Sequence, residues 1–337
     1  MQAIKVSDIA KMANVSPSTV ARVLNGSGYV SDSKRRIIEE VINRLGYVPN
    51  KVAQGLKKNS TNIIGHVLPS SYVNPFFGQV ADAIDKAAEN MGYHVLTMVT
   101  QMDDAKEKEH VEDLVSHMVE AVIFTAETGR KTEVIEWLVN LGIPVIMIER
   151  PRNVSGIDKV LIDNKEGSYI ATSHIIAKGH RHIGYIGRTA DMTVEIERYE
   201  GYCTALSQAG LQIEEKHVLF VPKYTVEYGF EAARHIMETN NPPTAIFAAS
   251  DVFACGAIQY LYKKGLRIPD DISLVGYDDT LASFLSPPIT SLAFPMEEIG
   301  KVTIQMILER KRDNRKSAKT VTLTPMLADK GSVKEII

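Results

Sequence analysis

The chain has 337 residues, 45% of them apolar, so it can bury a substantial core and is long enough for two or three domains. No apolar run reaches the ~18 residues that a membrane span needs, and no secretory leader opens the sequence, so we expect a cytoplasmic protein without membrane contact. The net charge of -3 is unevenly spread, because the first sixty residues hold ten Lys or Arg against four acids, a charge of +6. This basic segment indicates a polyanionic partner, although a lysine-rich solvated surface would give the same count.

Three short helices are predicted before residue 48. Residues 6–13 place apolar side chains at i, i+3, i+4 and i+7, which is the spacing of one helical face. Residues 16–26 begin with a serine cap followed by proline and end with glycine, as a short helix does. A third helical pattern, from a cap at Ser31 or Asp32, ends at Gly46. Helix, tight turn, helix and supporting helix form the arrangement of helix-turn-helix proteins.

The second helix has an apolar and a polar side. The apolar side consists of Val20, Val23 and Leu24, and the polar side of Ser16, Ser18, Thr19 and Arg22. Serine and threonine contact phosphates or bases, and arginine can form two hydrogen bonds to guanine. Together with the basic charge, this favours DNA binding over a small helical bundle without a ligand.

From residue 62 onward, short apolar runs alternate with helical patterns. The runs occupy residues 63–68, 93–99, 121–124, 145–148, 183–186, 218–221, 245–248 and 272–275. Buried strands that alternate with helices form parallel sheets covered on both faces, with ligands at the carboxyl ends of the strands. The strands are too many for one lobe, so two are predicted. No glycine-rich phosphate loop, nucleophile elbow or Ser/His/Asp set points to an α/β enzyme, so we expect no catalytic residues and no cofactor.

Several motifs carry a more specific resemblance. DIAKMA at 8–13, VSPSTVARVLNG at 15–26 and LGYVPN at 45–50 occur in the order found in the lactose-repressor family of bacterial transcription regulators. KGHRHIGYIG at 178–187 and DDISLVGYDDT at 270–280, followed by PPITS, resemble later signatures of that family. Ala21 departs from the pattern, because the family usually has a serine there.

The resemblance implies three regions. Residues 1–48 would be an all-α helix-turn-helix head, 49–61 a hinge helix or linker, and 62–337 a two-lobed α/β body of doubly wound parallel sheets, like a periplasmic binding protein. The first lobe would comprise about 62–160 and 290–323, and the second about 161–289. Alone, the linker is a marginal helix or a flexible basic tether. In the family it orders when two copies meet on the operator, where Leu56 would wedge into the minor groove.

The implied partner is double-stranded operator DNA with two half-sites related as a pseudo-palindrome. The expected DNA contacts are Ser16, Pro17, Ser18, Thr19, Arg22, Asn25, Tyr29, Asn50, Val52, Ala53 and Leu56. No leucine heptad follows the strand expected near 321–324, so a homodimer is expected rather than the coiled-coil tetramer of some relatives. We expect the protein in the cytoplasm, associated with the nucleoid when bound to its operator.

A sugar-like effector needs groups that bond hydroxyls and an aromatic face for its ring. The residues that match the family's effector-binding positions are Ser70, Ser71, Phe76, Phe77, Glu149, Arg198, Tyr224, Ser250, Asp278 and Phe294. Two of them depart from the family, since Ser250 replaces the usual asparagine and Phe294 a frequent glutamine. These departures leave the identity of the ligand open.

Each of these residues also has an ordinary structural alternative. Arg198 could pair with Glu195 or Glu197. The phenylalanines could belong to the hydrophobic core, and Asp278 and Asp279 could cap the following helix. His174, His180 and His182 lack Cys or acidic partners at ligand spacing, so no metal site is expected. Cys203 and Cys255 fall in apolar helical patterns typical of buried, reduced cysteines.

The expected function is therefore a DNA-binding transcription regulator, most simply a repressor, whose operator affinity is changed by a sugar or sugar derivative. Two alternatives remain at this stage. One is a regulator controlled by a partner protein, and the other is a sugar-binding protein of the transport type, against which the basic head and the missing leader both argue.

Overall fold

A computed structural model describes residues 4–47, 60–69, 75–126, 131–149, 152–189 and 193–336. The chain forms two compact units, which are a head up to Thr61 and a body from Asn62 onward. Within the described ranges, no helix is both long and apolar enough to cross a membrane.

The head contains the three predicted helices, α1 (Val6–Met12), α2 (Pro17–Asn25) and α3 (Asp32–Leu45). Gly26 and Gly46 end α2 and α3 in the left-handed conformation, each with a φ of 60°, which glycine adopts without steric cost. The buried residues shared by the three helices are Ile9, Ala10, Ala13, Val20, Ile38 and Val41. The helical head expected from the apolar spacing is confirmed.

The body alternates strands and helices along the chain. Its strands are β1 (Ile63–Leu68), β2 (His94–Val99), β3 (Val122–Thr125), β4 (Val145–Ile148), β5 (Asp158–Ile162), β6 (Ile183–Arg188), β7 (Val218–Val221), β8 (Ala245–Ala248), β9 (Ser273–Asp278), β10 (Thr290–Ala293), β11 (Thr320–Leu323) and β12 (Met326–Ala328). Its helices are α4 (Pro75–Asn90), α5 (Asp104–Ser116), α6 (Glu133–Asn140), α7 (Asn164–Ala177), α8 (Thr193–Gln208), α9 (Val226–Met237), α10 (Asp251–Lys263) and α11 (Met296–Arg312).

The first lobe is built on a parallel sheet with the strand order β11-β5-β4-β3-β1-β2. Helices α4 and α11 pack closely on each other, because Gly300 has no side chain and a Cβ there would lie 2.3 Å from the Ala83 carbonyl oxygen. The central strands are buried on both faces, which explains why they read as continuous apolar runs.

The second lobe is built on a sheet with the strand order β12-β10-β9-β8-β6-β7, parallel except for β12. Helix α7 packs against α8, and α9 against α10. The second pair is closely apposed, since a Cβ on Gly256 would lie 2.1 Å from the Val226 carbonyl oxygen. The two-lobed architecture of parallel sheets agrees with the predicted fold class.

The chain passes between the two sheets three times, after β5, after β10 and after β11. The predicted return to the first lobe at about residue 290 is wrong, because β10 pairs with β9 from Thr290 opposite Val275 to Ala293 opposite Asp278. The return begins after Ala293. The final residues rejoin the second lobe, since β12 pairs with β10 and Val333 is buried.

Candidate functional site

A cavity of about 520 Å³ lies in the body, at the carboxyl ends of strands from both sheets. From the first lobe, the described lining residues are Pro69, Phe76, Phe77, Met102, Ala126 and Glu149. From the second lobe and the crossing that follows β10, they are Arg188, Arg198, Pro222, Lys223, Tyr224, Thr225, Asp278 and Phe294. A ligand in this cavity would touch both lobes at once.

Three residues at strand ends around the cavity have left-handed backbone conformations. The φ angles are 58° at Ala126, 75° at Glu149 and 98° at Asp278. Such conformations cost about 1–2 kcal/mol for a residue with a Cβ, and they recur at binding sites. Some backbone strain is therefore placed where β3, β4 and β9 deliver side chains to the cavity.

The guanidinium of Arg198 is the centre of the polar floor. Its Nε donates to Asn164 Oδ1 at 2.9 Å, its Nη1 donates to the Ala249 carbonyl oxygen at 2.7 Å, and its Nη2 lies 3.3 Å from Asp278 Oδ1. The guanidinium carbon is 4.0 Å from the centre of the Tyr277 ring, close enough for a cation–π interaction. Arg198 is thus held rigidly in place.

Asp278 is the acid opposite this arginine. Burial raises the pKa of its carboxyl to about 7, against the opposing effect of the nearby Arg198 charge. Its Oδ2 accepts a hydrogen bond from Ser250 Oγ at 3.0 Å. Because its pKa lies near neutrality, the carboxyl can offer a ligand either an acceptor or a donor.

Aromatic rings form the apolar walls. Phe76 packs edge-on against Phe77 and Phe294, with centroid distances of 5.4 and 5.2 Å. On the second lobe, Tyr224 stacks on Phe253 at 5.0 Å, and its hydroxyl donates to Glu195 Oε1 at 2.8 Å. Both walls offer ring surface to the apolar face of a cyclic ligand.

The head has a polar surface at the start of α2. Ser16 caps the helix by accepting a hydrogen bond from the Thr19 amide at 3.3 Å, and its Oγ lies 2.8 Å from both Ser18 Oγ and Thr19 Oγ1. Pro17, Ser18, Arg22 and Asn25 are exposed, and Tyr29 is 89% exposed. Hydroxyls and amide groups at a helix N-terminus suit contact with phosphates and base edges. The remaining predicted DNA contacts lie outside the described residues, namely Asn50, Val52, Ala53 and Leu56.

Comparison with known proteins identifies both regions of the chain. A family model described as "Bacterial regulatory proteins, lacI family" matches residues 5–50, and one described as "Periplasmic binding proteins and sugar binding domain of LacI family" matches residues 61–328. The chain belongs to the LacI family. It is therefore a bacterial transcription regulator with an N-terminal DNA-binding head, as the motifs predicted.

Individual relatives match this chain over nearly its whole length. The HTH-type transcriptional regulator DegA of Bacillus subtilis (strain 168) is 34% identical over 96% of each chain. A solved complex of the transcriptional regulator CelR with cellobiose is 28% identical, with a TM-score of 0.72 over 98% of this chain and 99% of that one. The Lac repressor dimer bound to operator and the anti-inducer ONPF is 23% identical, covers 99% of this chain and 100% of that one, and shares the fold with a TM-score of 0.84.

Most of the predicted effector residues of this LacI-family chain meet at the cavity. Those that line it are Phe76, Phe77, Glu149, Arg198, Tyr224, Asp278 and Phe294. Ser250 is not among the described lining residues; it is fully buried, caps α10 and donates a hydrogen bond to Asp278, which does line the cavity. Ser70 and Ser71 lie outside the described residues.

Sequence reasoning missed several lining residues, namely Pro69, Met102, Ala126, Arg188 and the three neighbours of Tyr224, which are Pro222, Lys223 and Thr225. Arg188 ends β6 two residues beyond the predicted run, and its Nη1 lies 3.5 Å from Glu195 Oε1. Extending the run to the first charged residue would have found it. The sequence left open an ion pair between Arg198 and Glu195. Glu195 contacts Arg188 and Tyr224. Arg198 contacts Asn164, Ala249 and Asp278.

The three histidines considered for a metal site have other contacts. His180 Nδ1 lies 2.8 Å from Thr244 Oγ1, and its Nε2 lies 3.0 Å from the Lys334 carbonyl oxygen. His182 Nδ1 lies 2.5 Å from Glu214 Oε1, and His174 Nε2 is 3.9 Å from Asp329 Oδ2. These distances are typical of structural hydrogen bonds and ion pairs.

Replacing Asp278 with asparagine should change how stability depends on pH. A carboxyl whose pKa rises from about 3.8 to about 7 on folding stabilises the protein fully below pH 3.8, and this contribution is lost as pH rises to 7. Between pH 4 and pH 7, the free energy of unfolding of the wild type should therefore fall relative to Asp278→Asn, by a few kcal/mol at most. Urea unfolding at each pH measures the difference.

The matched control is the exposed Asp82, which forms an i,i+4 pair with Lys86 on the protein surface. Asp82→Asn removes an exposed carboxylate and should change the free energy of unfolding little at each pH. Parallel curves for wild type and Asp278→Asn would contradict the raised pKa.

Proposed function

We propose that this LacI-family chain is a homodimeric repressor whose affinity for a pseudo-palindromic operator is set by a sugar or sugar derivative bound in the body cavity. The observation that carries the proposal is the pairing of a buried acid and base, Asp278 and Arg198, with aromatic walls from both lobes. We place the protein in the cytoplasm, at the nucleoid when it is bound to DNA.

The cavity suits a hydroxylated ring. Arg198 donates hydrogen bonds, while Glu149 and Asp278 accept them, as adjacent hydroxyls require. The aromatic side chains Phe76 and Tyr224 offer surface to the apolar face of the ring. The volume of about 520 Å³ falls in the range of small-molecule sites. The cellobiose bound by CelR, a relative over nearly the whole chain, supports a ligand of this class.

Coupling to DNA follows from the position of the cavity between lobes. A ligand that bonds both Glu149 and Arg198 binds one arrangement of the lobes more tightly and shifts the population toward it. Coupling free energies of this kind are about 1–3 kcal/mol, or roughly 5- to 150-fold in affinity. We assign the transmitting role to residues 49–61, with Leu56 entering the minor groove.

Selection of operator DNA tests the whole proposal. The full-length protein is offered random duplexes, alone and with D-ribose, cellobiose or a mixture of sugar phosphates, and the retained DNA is sequenced. We expect an enriched pseudo-palindrome whose yield changes with one of these compounds. An enriched motif that responds to none of them would contradict these compounds as effectors and favour a regulator controlled by a partner protein. No enriched motif at all would contradict autonomous operator binding.

Within the head, Arg22→Ala should weaken binding to the selected operator by about tenfold to a hundredfold, the expected loss of a bidentate contact to guanine. The exposed Arg44→Ala in α3 removes the same charge outside α2 and serves as the control. It should reduce affinity for all duplexes alike. Fluorescence anisotropy with operator and scrambled DNA distinguishes the two effects, and equal losses on both DNAs for Arg22→Ala would contradict a reading role.

A further inference from the structure

Asn164 stands where the chain first passes from one lobe to the other. It is the first residue of α7, and only 1% of its surface is exposed. The preceding Asp163 is tied to the first sheet through its amide, which donates to the Leu323 carbonyl oxygen at 2.9 Å. Asp163 also caps α7 by accepting a hydrogen bond from the Glu166 amide at 2.9 Å. The cap is therefore supplied by Asp163, and the helix itself does not require an amide side chain at Asn164.

The side chain of Asn164 bonds to the polar groups of both lobes. Its Oδ1 accepts the hydrogen bond from Arg198 Nε at 2.9 Å. Its Nδ2 donates to Glu149 Oε1 at 3.3 Å and to the Ile162 carbonyl oxygen at 3.1 Å. The orientation of the amide is set by chemistry, because a guanidinium can only donate and a carboxylate can only accept.

These bonds control what the cavity offers a ligand. Arg198 has five N–H groups, and within the described part of the chain its contacts with Asn164, Ala249 and Asp278 engage three of them, which leaves two for a ligand. The bond at Nε fixes the guanidinium plane above the Tyr277 ring. The hydroxyl of Tyr277 lies 3.4 Å from the same oxygen, Asn164 Oδ1. Loss of the bond would free the plane to rotate.

The amide also lies among acids. Burial and the charge of Glu149 raise the pKa of Glu197, and a hydrogen bond with the Asn164 side chain acts in the opposite direction. A neutral donor at this position separates carboxylates that would otherwise repel one another. Aspartate has the same shape but would add a further negative charge.

We propose that Asn164 is a positioning residue of the effector site, which joins Glu149 of the first lobe and Arg198 of the second into one hydrogen-bonded unit. The assignment of these two residues to an effector rests on the proposed function, but the bridge itself does not. The ligand would then meet donors and acceptors that are already oriented, so that it loses less entropy on binding.

Two substitutions separate the bonds. Asn164→Ala removes the hydrogen bond to Arg198 and the one to Glu149. Asn164→Asp keeps an acceptor for Arg198 but loses the donor that faces Glu149. Lys165→Ala is the matched control, because Lys165 is the next residue, is exposed and pairs only at the surface with Glu200 at 3.0 Å. Thermal unfolding by circular dichroism checks that all variants fold.

The first measurement needs no ligand. The Nε–H resonance of Arg198 is followed by nitrogen–proton NMR of the full-length protein and assigned by its disappearance in Arg198→Lys. We expect slow exchange with water in the wild type, Lys165→Ala and Asn164→Asp, and exchange at least about tenfold faster in Asn164→Ala, since about 1.4 kcal/mol of protection corresponds to a factor of ten. Unchanged exchange in Asn164→Ala would overturn the proposal.

The second measurement is calorimetric titration with D-ribose and with cellobiose at pH 8. For a sugar that binds the wild type, Asn164→Ala should bind about tenfold to a hundredfold more weakly. Asn164→Asp should also bind more weakly despite its protected Arg198, because the donor to Glu149 is lost. Wild-type affinity in both variants would refute a positioning role. If neither sugar binds the wild type, these two sugars are excluded as effectors, and the exchange experiment alone decides the role of Asn164.

Discussion

Replacement of Arg198 by methionine is expected to abolish the effector response and to lower the free energy of unfolding by a few kcal/mol, because buried acceptors are left without their donor. Without the guanidinium, the buried carboxyl of Asp278 loses its counter-charge, and Asn164 Oδ1 and the Ala249 carbonyl oxygen lose their donor. Urea unfolding measures the loss of stability, and the change in affinity for selected operator DNA on addition of effector measures the loss of response.

The double variant Arg198→Met/Asp278→Asn separates stability from binding. It removes the unpaired acid, so much of the lost stability should return, while the effector response should not. Arg188→Met is the matched control, because this arginine also lines the cavity but lies 3.5 Å from Glu195 at the end of β6. An Arg198→Met protein that still responds to effector would show that the floor of the cavity does not bind it.

Asp158→Ala is expected to destabilise the body by a similar amount, about 3–5 kcal/mol, through a different cluster. Asp158 begins β5 and is fully buried. Its Oδ1 lies 2.7 Å from Arg310 Nη2, and its Oδ2 lies 2.6 Å from Arg315 Nη2. Its Oδ1 also accepts the Lys319 amide at 2.9 Å. One carboxylate thereby holds β5, the end of α11 and the approach to β11 together.

The pH dependence of this cluster has the opposite sign to that of Asp278. Burial acts to raise the pKa of Asp158, but hydrogen bonds from Arg310 and Arg315 outweigh it and leave the pKa below its usual value. Its contribution to stability is therefore present above the unfolded pKa of about 3.8 and is lost as pH falls through the lowered pKa. In urea unfolding at pH 7, Asp158→Ala should lose far more than the exposed control Asp82→Ala, for which ~0–1 kcal/mol is expected. Equal losses would contradict the cluster.

The periodicity of the sequence predicted the elements that are buried on both faces. Strands β1, β3, β4 and β8 are continuous apolar runs because helices cover them on either side. Strand β5 alternates buried and half-buried residues, and β12 has only three residues, so neither gave a clear signal. The assignment of β10 to the wrong lobe has a similar origin, because sheet membership depends on pairing partners that periodicity does not specify.

The cavity was predictable in part, chiefly through the family motifs. These motifs marked Arg198 and Asp278, and the structure brings them within 3.3 Å of each other. The partners Asn164 and Ala249 come from distant points of the chain, so no local pattern could place them. Ser250 stands where the family usually has asparagine. Its short side chain caps α10 and donates a hydrogen bond to Asp278.

The three passages between the sheets constrain how such a chain can exchange parts with its relatives. A gene fragment ending after β5 would encode most of the first lobe but lack α11 and β11, which complete its helical layer and its sheet. A single recombination event in the body would therefore produce a lobe in which some strands and helices come from one parent and the rest from the other. Transfer of a whole lobe needs junctions at every passage. Substitutions at the cavity are thus a simpler evolutionary route to a new ligand than the shuffling of lobes.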